Sequence, residues 1–221
     1  MNSDTPRGPA GLAGTPLTFD TAAFRQVQEN AWTDTAGDAV VLDFFGLVPD
    51  LPADLDDLDG LRARTSAHVA GSGMGLVELD TVTLDGMPAI RQVVKGEDPR
   101  RASGMAYVGS YTIPRDRCST VIRVQCFEGP VTGIREASLF PLFLDRHQGD
   151  MQRAMAAWAR HPYTEGVTGG TPRNQAEDPV WDDRFPDHPL SRTRRLLGVL
   201  AQSLRVDPAF RDLPPFRHGA R

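Results

Sequence analysis

Residues 76–95 read LVELDTVTLDGMPAIRQVVK, and the Asp85-Gly86 pair near the middle decides the fold. Apolar, β-branched runs flank it, and Asp-Gly supplies the positive φ angles that a two-residue type I′ hairpin needs. Leu76–Leu84 is therefore predicted to pair with Pro88–Lys95. Within the first run the apolar parity changes, with Val77 and Leu79 on one phase and Val82 and Leu84 on the other. That points to a bulge or to a strand covered on both faces.

Working outward, Gly104–Ile113 alternates Met105, Tyr107, Tyr111 and Ile113 against Ala106, Val108, Ser110 and Thr112, as a half-buried strand does. Pro114-Arg115-Asp116-Arg117 turns the chain. In Ser119–Glu128, Ile122, Val124 and Cys126 share one face and Arg123 and Gln125 the other. Upstream, Asp38–Phe45 reads as a further strand with Val40, Leu42 and Phe44 inward. The fold class is thus α+β, a mainly antiparallel meander packed between helices, with a C-terminal helical extension.

Helices are predicted at about 20–31, 52–66, 134–160 and 189–205. Asp20 offers an N-cap to the first, with Phe19 and Phe24 at staple spacing, and Trp32 is assigned to the core. Leu51, Leu55, Leu58 and Leu61 mark the second, and Leu196, Leu197, Leu200 and Leu204 the last, which starts at Pro189. In 134–160, Pro141 kinks or splits the helix, and Asp150 caps its second half. Residues 1–17, rich in Pro, Gly, Ser and Thr, are expected to be a disordered leader and 206–221 a tail. Between them 18–205 is one domain, with its core at 38–146 and an extension at 147–205.

The chain has 221 residues and a formal net charge of −5, which argues against a nucleic-acid-binding protein. Lys95 is the single lysine among 24 basic residues. Cys118 and Cys126 would lie on one strand about 27 Å apart, too far to bridge, and read as free thiols in a reducing compartment. No stretch has the form of an export signal or reaches the ~20 apolar residues of a spanning helix. A cytoplasmic location and no membrane association are expected.

Motifs that carry chemistry are scarce. Asp54, Asp56, Asp57 and Asp59 spread around the outer face of a helix and read as solvated surface. Gly71-Ser72-Gly73-Met74-Gly75 precedes a strand, whereas a phosphate loop precedes a helix; it reads as a flexible entry into the sheet. The five histidines are scattered, and no His-x-x-x-His or Cys-x-x-Cys spacing occurs. Asp182, Asp183, Asp187 and His188 read as a hydrated acidic loop in preference to a metal site. No catalytic residue, metal or cofactor is therefore assigned.

Topology gives a sharper clue. In a meander the start of the 76–84 strand, the 96–103 loop and the exit after Glu128 fall at one end of the sheet. That end gathers Lys95, Arg100, Arg101, Glu128, Thr132, Arg135 and Glu136, a candidate recognition surface on loops held by a rigid scaffold. Further on, Tyr163–His188 carries six acids against two arginines, and Pro189–Arg205 four arginines and no acid. The first is expected to fold back near the second, with Trp181 as its apolar anchor.

The order helix, strand, helix, four-strand meander, helices, with Leu84-Asp85-Gly86-Met87-Pro88-Ala89 at the hairpin, resembles the PsbP/Mog1-type fold over about residues 38–146. The resemblance implies an antiparallel sheet between helical layers and a non-catalytic binding role, since members serve the photosystem, a Ran-type GTPase or the cell envelope. Tyr163–Arg221 has no counterpart there, and no functional residue carries over. The reading is a protein-interaction or adaptor protein with an unidentified protein partner; the alternative is a small-molecule-binding protein or enzyme with a pocket between sheet and helices. A flat charged surface would favour the first, and a concave cavity lined by perturbed titratable groups the second.

Overall fold

Asp85 and Gly86 take the positive φ angles expected of their turn, 45° and 79°, in the computed structural model, which describes residues 11–219. In chain order these residues form β1 (Leu17–Thr18), β2 (Arg25–Gln28), β3 (Ala31–Thr33), β4 (Ala39–Phe45), α1 (Leu58–Gly71), β5 (Gly75–Leu84), β6 (Met87–Glu97), β7 (Met105–Pro114) and β8 (Ser119–Phe127). There follow α2 (Ile134–Arg146), α3 (Met151–Trp158), β9 (Ala159–Arg160), β10 (Arg173–Asn174), α4 (Pro189–Ser203), β11 (Arg205–Val206) and α5 (Pro208–Arg211).

The main sheet has seven antiparallel strands in the order β2-β3-β4-β8-β7-β6-β5, and the fold is α+β. Leu84 pairs with Met87 and Gly75 with Lys95, with a register shift between Leu76 and Glu78. That bulge explains the change of apolar parity. Leu76 and Leu79 pack beneath α1 with Leu61, Val69, Ile90 and Val94, while Val77 joins the opposite core.

The opposite face is covered by α4. Leu190, Leu197 and Leu200 are fully buried there against Tyr107, Tyr111, Ile122 and Val124, each contributing about 1.5–3 kcal/mol. Close approach of this helix depends on Gly109 in β7, because a Cβ there would lie 2.6 Å from Thr193 Cγ2 and 2.7 Å from Leu197 Cδ1. The segment read as an extension therefore supplies one of the two layers that cover the sheet.

Three expectations are corrected. The helix over 20–31 is absent: β2 and β3 occupy that stretch. Phe19 and Phe24 still meet edge to face, ring centroids 5.8 Å apart, but Asp20 accepts from Ala22 N in a local turn and caps no helix. Pairing of β3 with β4 buries Trp32 in the core, a tertiary gain that overrides helical spacing. The helix read at 52–66 is displaced to α1, because Asp57 and not an earlier residue caps it, accepting from Gly60 N.

The ends form the third correction. Residues 1–10 of the expected leader lie outside the described residues, but Leu17 is fully buried and β1 pairs with β11. In the expected tail Val206, Phe210 and Phe216 are buried. Apolar side chains on both segments find the same core, and Asp85 of the hairpin turn fastens the C-terminal one by accepting from Val206 N and Arg211.

Candidate functional site

The expected sheet end forms, but two of its four cations, Lys95 and Arg135, are turned inward, while Arg100 and Arg101 stay exposed. Lys95, on the α4 face of β6, is 3% exposed, and its Nζ donates to both carboxylate oxygens of Glu177, at 2.8 and 2.7 Å. Tyr107, opposite Lys95 on β7, donates to the same carboxylate at 2.7 Å, and Asn174 N completes the set. Burial first, and then the neighbouring Glu177, pushes the Tyr107 phenol well above its ordinary range. A buried ion pair with its remaining hydrogen bonds satisfied is the arrangement in which desolvation is offset.

Arg135, near the start of α2, is fully buried. It donates to Ala176 O, to Asp178 O at 3.0 Å, to Ser191 Oγ at 2.9 Å and to Asp182 at 3.1 Å. Arg194 of α4 reaches Asp182 at 2.7 Å and Glu78 at 2.6 Å, and Arg91 holds the other Glu78 oxygen. On the other flank Arg192 grips Asp38 through two nitrogens, at 2.7 and 3.0 Å. This network joins the sheet, α2, α4 and the acidic 174–188 segment, so the expected fold-back of Tyr163–His188 toward α4 holds for its second half, whereas Tyr163 packs on the α1 face with its hydroxyl accepting from Leu79 N. Its deepest residues are Ala176 and Glu177, both fully buried; Trp181, the expected anchor, is only half-buried and lines a small cavity together with Leu139 and Trp158.

The remaining sheet-end residues are also largely occupied. Arg100 pairs with Asp98 and lies 3.2 Å above the Phe127 ring centroid. Arg101 donates to the carbonyls of Glu128, Gly129 and Pro130, and the Thr132 methyl packs beside Gly104. Glu128 accepts from Met105 N at 2.7 Å and Gly133 N at 2.8 Å, which fixes the turn into α2. The surface is thus not a flat array of free charges, and Arg135 in particular is a structural tie.

Beside this network lies a cavity of about 440 Å³ between the 128–135 turn and the 184–189 segment. Pro130, Val131, Ile134, Phe185 and Pro186 give it apolar walls; Glu128, Arg135 and His188 bring polar groups to it. His188 heads α4, its Nδ1 accepting from Leu190 N at 3.3 Å. Burial, and then Arg135, Arg192, Arg194 and Lys95, push its imidazole down to about 3, so the ring is neutral at physiological pH. Glu136 is pushed up, mainly by burial and further by Glu177 and Glu128. A larger cavity, about 840 Å³, lies within loop 159–172, but a single stretch of chain lines it and no network of charged groups converges there.

Of the seven residues drawn to the sheet end by topology, Glu128 and Glu136 stand together with His188, which was read instead as part of a hydrated loop with Asp182, Asp183 and Asp187. Glu177 and Asp182, the carboxylates that hold the network, were visible only as members of an acidic run.

The fold and site define an α+β protein with a buried ion network and an adjoining cavity. No family model matches the chain, and no curated protein matches it. Among solved structures it is similar to the solution structure of cyanobacterial PsbP (CyanoP) from Synechocystis sp. PCC 6803. The two are 10% identical over 57% of this chain and 74% of that one, at a TM-score of 0.29. The likeness expected of the meander recurs there as a weak resemblance of topology, and nothing of that protein's role passes to this chain. Among the described residues no helix is long and apolar enough to cross a membrane.

Proposed function

We propose that the protein binds a small ligand in the cavity between the 128–135 turn and the 184–189 segment. One observation carries the reading: a buried histidine and a glutamate meet at a concave wall whose apolar rim stays open to solvent, with Val131 68% and Ile134 52% exposed. Apolar walls with a few convergent polar groups are the usual make-up of a ligand site. Ligand-observed NMR with a fragment library, on the natural chain and on Ile134→Trp, tests it. Fragments should bind the former and be lost from the latter while the Tm is kept; equal profiles, or no binding to either, would contradict the proposal.

A second reading, the interaction or adaptor protein, is favoured by the apolar run at the end of β4, where Phe45, Leu47 and Val48 are 47%, 73% and 61% exposed. Replacing these three by Ser should abolish co-purification of a protein partner and leave fragment binding unchanged. A partner retained by the triple variant would count against it.

A further inference from the structure

Five cations of the network, Arg91, Lys95, Arg135, Arg192 and Arg194, pair with Glu78, Glu177, Asp182 and Asp38. Among the described residues the carboxylates of Glu128 and Glu136 form no ion pair with Lys or Arg, although both stand in the same partly buried neighbourhood. One ligand atom from each of Glu128, Glu136 and His188 can be chosen so that all three lie within 4.8 Å of one another. A second observation points into the same space. The His188 side chain is 7% exposed and its Nε2, 4.0 Å from Glu136 Oε1, has no hydrogen-bond partner; Glu136 Oε2 is likewise buried and without one.

We propose that Glu128, Glu136 and His188 form a site for one first-row divalent cation, of the zinc or manganese class, with a coordination position open toward the cavity. The inference deepens the ligand-binding reading, because the ion would be one of the groups that a ligand in that cavity meets. Two carboxylates and one imidazole are a mixed oxygen and nitrogen donor set suited to such ions. Three protein ligands leave a fourth position for water or ligand. Two atoms each bound at about 2.1 Å lie at most about 4.2 Å apart, so a pair standing at the 4.8 Å limit would have to close by about 0.6 Å or more.

The surroundings fit this chemistry. The two backbone N–H bonds to Glu128 orient its carboxylate while leaving lone pairs free, the kind of outer support that metal-binding carboxylates use. Coordination through Nε2 moves the imidazole proton to Nδ1, and the 3.3 Å bond from Leu190 N is given up. At 3.3 Å that bond is long for N–H···N geometry, so little is lost with it.

The metal-stripped chain, titrated with Co²⁺ by visible absorption and with Zn²⁺ by calorimetry, tests the assignment. One ion per chain is expected, with affinity at least tenfold lower in both Glu136→Gln and His188→Gln. Should His188→Gln fail to fold, Glu136→Gln decides alone, since Glu136 Oε2 holds no bond whose loss would unfold the chain. No saturable uptake, or uptake unchanged in Glu136→Gln, overturns the site; the second result would mean an adventitious surface ion. Fragments bound with no ion taken up overturn the metal assignment and leave the cavity reading standing. One ion with no fragment bound supports the assignment and counts against the cavity.

Discussion

Lys95 on β6 and Glu177, 82 residues later, form a two-pronged ion pair at 2.7 and 2.8 Å, with Lys95 3% exposed and Glu177 not at all. The only lysine of the chain thereby pins the 174–188 segment to the sheet. Breaking a buried pair by removing one partner typically costs about 3–5 kcal/mol, because the other charge stays buried and unpaired. Lys95→Met or Glu177→Gln should lower stability in urea denaturation by about that much. The double variant Lys95→Met/Glu177→Gln should lose less than the sum of the two singles.

Gly109 sets the distance between α4 and the sheet. Gly109→Val adds a side chain where a Cβ alone would lie 2.6 Å from Thr193 Cγ2, and overpacking of this kind costs about 1–3 kcal/mol or more. Thermal unfolding should show a lower Tm for this variant. An unchanged Tm would mean that α4 is not seated on β7 as described.

Glu78 gives the stability an acid limb. Burial pushes its carboxyl up, but the guanidiniums of Arg194 and Arg91 outweigh burial and hold it below the ordinary glutamate value of about 4.3. A carboxylate lowered on folding contributes stability that is complete above its unfolded value and lost as the pH falls through the folded one. Stability should therefore fall as the medium is acidified below about pH 4. Glu78→Gln should be less stable at neutral pH and show a flatter acid limb in urea titrations across that range.

Cys126 is fully buried on β8, and burial, reinforced by Asp38, pushes its thiol up to about 12. Since the thiolate is the reactive form, Cys126 should resist a disulfide-exchange reagent in the native protein and react only on unfolding. Rapid labelling of Cys126 in the folded chain would contradict its placement.

How far the sequence revealed this arrangement depended on the range of each signal. The hairpin at Asp85-Gly86 was legible because turn chemistry is local, and the bulge near Val77 because apolar parity records which face is buried. The 20–31 segment misled because Asp20, Phe19 and Phe24 make their contacts equally well in a turn, while Trp32 reaches the core only from a strand. The chain ends misled for a related reason: Leu17 and Phe210 sit among Pro and Gly, yet each finds apolar surface far away in sequence.

At the site, Glu128 and Glu136 flank the single turn that leads from β8 into α2, and strand order places that turn at this end of the sheet. His188 joined them only because α4 packs across the sheet and carries its own N-terminus there, which no local pattern announces. Opposite charge predicted that the 163–188 segment would lie near α4; its second half does, with Arg194 meeting Asp182, whereas Tyr163 packs on the α1 face of the sheet. It did not identify Glu177 as the anchor, because a carboxylate becomes one only when a lysine on a strand interior is left without water.

Crystallographic fragment screening of the whole chain tests the central claim most directly. The account expects fragments to gather in the cavity bounded by Ile134, Phe185 and His188. A cavity left empty while fragments collect instead at Phe45, Leu47 and Val48 would contradict it.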